Sequence, residues 1–395
     1  MRFLSSPPVD LRGRSAFPLF VALTASGTLG MHVIVPALPA TARALDVSVP
    51  AVQLTITLYL IGLAVGQLIY GPLSDRFGRR PVLLAGMSLF AVASFAAAFA
   101  PNAPVLVGAR ILQALGGCSG LVLGRAAVRD SAEPSKAAGQ LALLTMTMSA
   151  VPAIAPAIGG YVTAFVHWRA SYVLVAALGA ATLFATWLTM PETNRATTPG
   201  SLWRGNAMLL RSPVFLGYAV GGAMSTTSFY AFMAAAPFIF EGALGRPTHE
   251  VGIYYLILMV GVAFGSFLAN RLSRRVSIRT GALAANGFAV AGAVGFAAAD
   301  ALGALSVLAV VATIGVFMIG AGMTSPFALA GSVSANPRAI GAASGLYGFF
   351  QMGYGMLCTV AVELWSPGAS HPVAAILLGS ALAGMAAIRL GVRRA

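Results

Sequence analysis

Long apolar runs separated by short polar connections make up most of the chain. A helix that crosses a bilayer needs about 20 mostly apolar residues, and twelve segments of the sequence reach this length. The runs cover residues 17–38, 51–72, 81–100, 103–124, 139–162, 170–190, 213–236, 250–270, 281–299, 302–324, 340–361 and 373–392. This pattern predicts an all-α membrane protein with twelve transmembrane helices.

Composition agrees with a chain that is surrounded by lipid. Hydrophobic residues make up 58% of the sequence and charged residues only 9%, whereas soluble domains carry about 25% charged residues. The net charge of +14 could indicate nucleic-acid binding, but the basic residues form no stripe with interleaved aromatic side chains. We therefore expect the lipid bilayer as a partner and exclude nucleic acid.

The titratable residues offer little for catalysis or metal binding. The two cysteines, Cys118 and Cys358, lie in opposite halves, which argues against a disulfide framework or a metal site. The four histidines are scattered, and no acidic pair lies within an apolar run. A polytopic membrane enzyme would need a cluster of histidines or a pair of acidic residues within reach of its substrate. We therefore expect no enzyme, no metal and no cofactor.

Basic residues are distributed unevenly between alternate connections. If the amino terminus is cytoplasmic, 20 of the 24 Lys and Arg fall in inner segments, and only Arg43, Arg169 and Arg246 fall in outer ones. Cytoplasmic loops of membrane proteins carry such an excess, so we expect both termini in the cytoplasm. The first run, residues 17–38, is longer than the ~7–15 apolar residues of a cleaved signal, and we expect it to be retained.

The longest polar connection divides the chain into two groups of six runs. It gives predicted domains of residues 1–190, a cytoplasmic linker of residues 191–212, and residues 213–395. The halves also echo each other, since GLAVGQLIYGPLSDRFGRR, from Gly62, and GVAFGSFLANRLSRRVSIR, from Gly261, match at seven positions. Parallel repeats of this kind are typical of transporters, with the binding site between the halves.

The connection after the second run holds the most specific motif, GPLSDRFGRRPVLLAG, which begins at Gly71. Gly71 and Gly78 permit close helix approach and a tight turn, and Asp75 can pair with an arginine or a helix amino terminus. Three arginines share the motif: Arg76, Arg79 and Arg80. A basic loop that only sets topology would account for Arg79 and Arg80, but not for the acid or the glycines.

The fifth run carries a proline–glycine segment, AVPAIAPAIGGYV, from Ala150 to Val162. Proline removes a backbone donor and bends a helix, and neighbouring glycines let a partner helix approach closely. The residues concerned are Pro152, Pro156, Gly159 and Gly160. The segment indicates a helix interface, either one that takes part in transport coupling or one that is purely structural.

These motifs resemble those of a known family. The loop after the second run is similar to the gating signature of the major facilitator superfamily. The fifth-run segment looks like the signature of its drug:proton antiporter branch. RILQALGG, from Arg110, with GRAAVRD and HWRASYVL, resembles the Bcr/CflA-type exporters. By this resemblance the gating residues are Gly71, Asp75, Arg76, Gly78, Arg79 and Arg80. The second-half copy departs from the pattern, since Arg274 stands where Asp75 would.

Two ionisable residues, His32 and Arg110, lie inside apolar runs, where charges are costly and are functional candidates by default. Each lies about six residues from the outer end of its run, so the two should share a depth. All ten acids lie in loops or near run ends. In Bcr/CflA-like proteins an Asp commonly occupies the position that His32 holds here, just before P-A-L-P.

Two roles remain open for each of these residues. His32 is a candidate proton carrier, because imidazole titrates near neutral pH, or else a hydrogen-bonding group for the helix bundle or the substrate. Arg110 is either a structural tie between helices or a participant in proton coupling and substrate recognition.

Further polar and aromatic residues inside the runs could line a central cavity. We predict substrate contacts at His32, Tyr59, Gln113, Tyr230 and Gln351, although each could instead form a helix–helix hydrogen bond. A cavity with few polar anchors and no buried carboxylate suits lipophilic, weakly polar drugs of the amphenicol type.

The sequence therefore predicts a major facilitator fold with two six-helix pseudo-symmetric halves. The predicted function is export of lipophilic drugs in exchange for protons, by alternating access, in a bacterial inner membrane. We expect a monomer whose partners are the small-molecule drug, protons and the bilayer. The alternatives are a metabolite exporter or another coupling mode on the same fold, and a sensor or scaffold that has lost transport.

Overall fold

The computed structural model describes residues 17–131, 134–193, 207–336, 340–366 and 368–392. The predicted cytoplasmic termini, 1–16 and 393–395, and residues 194–206 of the predicted linker lie outside this description. The first half contains α1 (Phe17–His32), a 3₁₀ turn (Val35–Ala37), α2 (Leu38–Leu45), α3 (Val49–Phe77), α4 (Arg79–Ala98), α5 (Ala103–Ser131), α6 (Pro134–Phe165) and α7 (Trp168–Thr189).

The second half repeats this series of helices. It contains α8 (Pro213–Thr227), α9 (Phe229–Phe238), a π turn (Ile239–Ala243), α10 (Thr248–Leu272), α11 (Ile278–Ala301), α12 (Val307–Ser334), α13 (Ile340–Trp365) and α14 (Ser370–Gly391). Within the described residues, ten helical segments are long and apolar enough to cross a membrane. Helices α6 and α13 occupy the two remaining predicted positions, so the prediction of an all-α membrane fold is confirmed.

Two predicted spans are not continuous helices. The first is interrupted after His32 and continues through the 3₁₀ turn into α2. Pro36 cannot donate the amide hydrogen bond that the carbonyl of His32 would accept in a regular helix, which explains the break. The seventh is interrupted at Ser228, between α8 and α9.

The tenth predicted span also needs correction. It was expected at residues 302–324, but α12 begins at Val307 and ends at Ser334. Gly303 has a positive φ of 63°, and the hydroxyl oxygen of Ser306 accepts a hydrogen bond from the amide of Ala309. A turn followed by an amino-terminal cap thus delays the helix.

The two halves meet along two helix pairs. Helix α3 packs against α13, and α6 packs against α10. Each pair joins the second passage of one half to the fifth passage of the other, as pseudo-symmetry requires. We name the two ends of the bundle the Arg43 end, where α2, α10 and α14 begin or end beside loops, and the Arg79 end, where α3 leads into α4.

Candidate functional site

Arg110 forms a buried polar centre in the first half. Its side chain is fully buried, and its Nη1 donates to the carbonyl of Gly30 at 2.7 Å. Its Nε points to the carbonyl of Thr55 at 3.4 Å, and its guanidinium carbon lies 4.1 Å from the centre of the Tyr59 ring. The one side chain thus joins α5 to α1 and α3.

Two of the predicted substrate residues hold this arginine. Gln113 accepts a hydrogen bond from Arg110 at 2.5 Å and donates to Ser94 in α4 at 2.8 Å. The Tyr59 hydroxyl donates to the carbonyl of Gly27 at 2.7 Å. Both side chains are fully buried, so in this conformation the geometry favours positioning of Arg110 over contact with a substrate.

His32 is the last residue of α1 and lies two residues beyond the carbonyl that Arg110 binds. Its ring is buried, with 5% of its surface exposed, and Nδ1 lies 2.8 Å from the carbonyl of Thr28. A carbonyl can only accept a hydrogen bond, so Nδ1 carries the hydrogen and Nε2 is the free acceptor of the neutral ring. The structure thus brings His32 and Arg110 to the same end of α1, with Nε2 as the atom that would take up a proton.

The predicted substrate residues of the second half lie on α9 and α13. Gln351 donates to the hydroxyl oxygens of Thr226, at 3.1 Å, and Tyr347, at 3.2 Å. Tyr230 is half-buried, and its ring lies against Gly355 of α13. These two side chains are less enclosed than Tyr59 and Gln113, and their substrate role stays a prediction.

The motif between α3 and α4 is organised around Arg79. This side chain is only 8% exposed and contacts Asp75 at 2.6 Å and Asp130 of α5 at 3.2 Å, as well as the hydroxyl of Ser74. Arg76 is exposed, and its guanidinium lies 5.1 Å from the centre of the Phe77 ring. A role that only sets topology does not account for the buried contacts of Arg79.

Sequence reasoning missed Glu192, which closes this network. Its carboxylate accepts hydrogen bonds from the backbone amides of Arg79, at 2.9 Å, and Arg80, at 3.2 Å. These are the first amides of α4, and an anion stabilises such a helix end. The only signal was an acid directly after the sixth span. Gly78 lies beneath it with a φ of +95°, a conformation that favours glycine.

We expect Glu192→Ala to lower the stability of the protein by about 0.5–2 kcal/mol, because the amino terminus of α4 loses its acceptor. Thermal unfolding of the purified protein checks this. Glu192→Gln keeps an acceptor oxygen and should lose less than Glu192→Ala. Equal losses for the two variants would contradict a capping role.

Gly71 and Gly78, the two glycines of the motif, lie in different surroundings. A Cβ added to Gly78 would lie 2.5 Å from Oε2 of Glu192, whereas one added to Gly71 would meet nothing within 4 Å. Gly71 was predicted to permit close helix approach, and this prediction is wrong for the conformation described here. Its role as a gating residue stays a prediction.

The proline–glycine segment of α6 lies at a crossing of both halves. A Cβ at Gly159 would lie 1.8 Å from the carbonyl oxygen of Val33, directly after His32, and one at Gly160 would lie 3.1 Å from the carbonyl of Thr248 in α10. Both prolines lie inside α6, and the carbonyl of Pro156 faces Gly252 of α10. The segment therefore contacts the break after α1 on one side and the second half on the other.

Polar contacts between the halves gather at the Arg43 end. Arg43 forms an ion pair with Glu241 at 3.6 Å, and the side-chain amide of Gln53 donates to the carbonyl of Ala234 at 3.2 Å. The hydroxyl of Thr57, in α3, lies 2.5 Å from Oε1 of Glu363, in α13. Glu363 was not among the predicted site residues, because its position near a span end gave no signal of the contact across the interface.

The sequence of the chain is similar to those of proteins whose names refer to drug resistance. The sequence profile described as Major Facilitator Superfamily matches residues 19–359. "Multidrug resistance protein D" of Escherichia coli (strain K12) is 31% identical over 352 residues, 89% of this chain and 89% of that protein. "Chloramphenicol resistance protein" of Pseudomonas aeruginosa is 31% identical over 304 residues, 77% of this chain and 72% of that protein.

Solved structures show the same fold. The crystal structure of the D-xylose-proton symporter superposes with a TM-score of 0.72 at 16% identity, over 94% of this chain and 97% of that chain. A xylose transporter in a partially occluded inward open conformation superposes with a TM-score of 0.71 at 13% identity, over 93% of this chain and 96% of that chain.

Proposed function

The chain belongs to the Major Facilitator Superfamily, a family of membrane transporters, and on that basis we propose that it exports lipophilic drugs in exchange for protons. Relatives named for multidrug and chloramphenicol resistance support drug efflux. The observation that carries the coupling is the position of Gly159, whose α-carbon lies against the carbonyl directly after His32 while its neighbour Gly160 faces α10 of the second half. Movement between the halves therefore reaches the only histidine within the described part of the first span.

The transport cycle follows from this arrangement. With α3 on α13 and α6 on α10, the halves can rock against each other around a site between them. His32 takes up a proton at Nε2, and Arg110 fixes the backbone of α1 beside it. Weakly polar drugs bind between Tyr230 and Gln351 on one side and the end of α1 on the other.

The same proposal sets the orientation of the protein. The excess of Lys and Arg at the Arg79 end supports a cytoplasmic position for that end and for both termini. The protein is then a multi-pass protein of a bacterial inner membrane with the Arg43 end outside. Because both helix pairs at the interface lie within one chain, a monomer suffices for alternating access.

We expect His32→Ala to abolish drug transport driven by a pH gradient while counterflow continues. Counterflow exchanges labelled for unlabelled drug without a proton, so loss of the proton carrier leaves it intact. Both are measured in proteoliposomes loaded with an amphenicol. His371→Ala, which removes an exposed histidine at the Arg43 end, is the matched control.

The other outcomes separate the alternatives. Gradient-driven transport that survives in His32→Ala would exclude His32 as the proton carrier. Wild-type protein that moves a metabolite but no drug would favour the alternative of metabolite export. Wild-type protein that binds drug without counterflow would favour a sensor.

A further inference from the structure

Glu363 is the only charged residue of α13, and it lies where α13 meets the first half. It is half-buried in the last turn of that helix, near the Arg43 end. The Thr57 hydroxyl lies 2.5 Å from its Oε1 and 2.7 Å from the hydroxyl of Thr359, one turn earlier on α13. One threonine of α3 thus contacts two side chains of the opposite half.

The number of hydrogens in this chain of oxygens indicates a protonated carboxyl group. Each threonine hydroxyl has a single hydrogen. Thr359 points its hydrogen at the carbonyl of Met356, 2.8 Å away, because a carbonyl can only accept. The contact between the two threonines then uses the hydrogen of Thr57. Two hydroxyl hydrogens cannot serve three contacts, so all three, including the one between Thr57 and Glu363, are hydrogen bonds at once only when the carboxyl group supplies the third hydrogen.

The surroundings of Glu363 provide little to neutralise a carboxylate. Helix α13 packs against α3, α8, α9, α12 and α14. Formal charges on these helices lie at the Arg79 end, at Asp75, Arg76 and Arg389. At the Arg43 end, the one side chain of these helices that could carry a charge is that of His371. It is exposed, and the centre of its ring lies 6.0 Å from the centre of the Trp365 ring. The other titratable groups of these helices and of α13 are Tyr59, Tyr70, Tyr218, Tyr230, Tyr347, Tyr354 and Cys358.

We propose that Glu363 is a second proton-binding site, which must be loaded before α3 and α13 can close at the Arg43 end. This rests on the proposed function, in which that end faces the outside and protons enter from there. When the end opens, Glu363 loses Thr57, meets water and ionises. A proton taken from that water restores the chain from Glu363 through Thr57 to Thr359. Proton binding from outside thereby promotes closure of the empty transporter.

The direction of the pH effect follows from linkage. The closed arrangement binds one proton more than the open one, so acid favours closure, and the ratio of closed to open protein changes by up to about tenfold per pH unit. Glu363→Gln carries its own hydrogen permanently, because an amide NH₂ donates at every pH. We expect this variant to stay closed at alkaline pH, where wild-type protein opens.

The test measures the separation of the halves at the Arg43 end directly. Spin labels are attached at Ala44→Cys and Leu302→Cys, two exposed positions of opposite halves, after both native cysteines are replaced by Ser. Distances are recorded in lipid nanodiscs, without drug, over a series of pH values. Glu250→Gln is the matched control, since Glu250 lies at the same end but accepts from Tyr254 of its own helix.

The outcomes are distinct. We expect a distance change with pH in wild type and Glu250→Gln and none in Glu363→Gln; the same pH profile in all three would overturn the proposal. If Glu363→Gln fails to fold, Thr57→Val is measured instead. This variant should close at a more acidic pH than wild type, because its closed form lacks the hydrogen bonds that Thr57 forms with Thr359 and Glu363. An unchanged midpoint in Thr57→Val contradicts the proposal.

Drug transport is measured in parallel on the same preparations. Since the distance measurement needs no drug, a pH-dependent closure without drug export would refute only the proposed function. If the protein exports drug but the distance in Glu363→Gln changes with pH as in wild type, only the proposal of a second proton site is refuted.

Discussion

Replacement of Arg110 by Ala should abolish transport and lower stability more than any other single change described here. The variant loses the hydrogen bonds to the carbonyl of Gly30 and to Gln113, and it leaves these two buried acceptors without their donor. Bonds to a charged donor contribute about 1.5–3 kcal/mol each, so the loss of these two bonds is expected to cost about 3–6 kcal/mol. Thermal unfolding and counterflow in proteoliposomes measure the two effects.

Arg169→Ala is the matched control for this prediction. Arg169 also binds one backbone carbonyl, that of Ala100, at 2.8 Å, and its guanidinium carbon lies 4.5 Å from the centre of the Trp168 ring. Because it lies near the surface at the Arg43 end, its loss should cost no more than about 1 kcal/mol. Arg110→Lys tests geometry, since an ammonium group cannot reproduce the planar fork. Full activity in Arg110→Lys would mean that charge alone matters.

Gly159→Ala should block transport by forcing α6 away from α1. The new Cβ would lie 1.8 Å from the carbonyl oxygen of Val33, far inside van der Waals contact, and backbone must move to accommodate it. Overpacking of this kind costs about 1–3 kcal/mol, and we expect at least about a tenfold loss of gradient-driven transport. Transport in proteoliposomes, normalised to folded protein, measures it.

Gly108→Ala provides the comparison, because a Cβ at Gly108, in α5, would meet nothing within 4 Å. That variant should transport normally and be slightly stabilised, since alanine favours helix more than glycine. If Gly159→Ala also transports normally, the contact between α6 and the break after α1 takes no part in coupling.

The fold could be predicted from the sequence because the bilayer imposes a length on every spanning helix. Apolar runs therefore marked the ten helical segments of the described residues that are long and apolar enough to span a bilayer, although the tenth run was placed too early in the sequence. The breaks were harder to predict, because apolar composition continues through them. Pro36 lies at the first break, but no proline lies within eight residues of Ser228 at the second.

The site could be predicted only in part. Residue type alone singled out Arg110 and His32, since ionisable groups are rare inside spans. Contacts between distant helices left no local signature. Nothing near Glu363 indicates Thr57, and nothing near Arg79 indicates Glu192. Tyr59 and Gln113 were assigned to substrate because their polar atoms suit a ligand as well as they suit a neighbouring guanidinium.

The position of Glu192 also has a consequence for biosynthesis. Glu192 is three residues beyond the end of α7. It caps α4, which begins about a hundred residues earlier in the sequence and is therefore synthesised well before Glu192. Multidomain chains generally fold in order of synthesis. The amino terminus of α4, at the Arg79 end, therefore lacks its acceptor until the sixth passage has been inserted and Glu192 has been made. We expect the first six passages to form a complete folding unit from that point, before α8 is made. Truncation before Glu192 should therefore produce a nascent chain that membrane proteases recognise, and truncation just after it one that they spare.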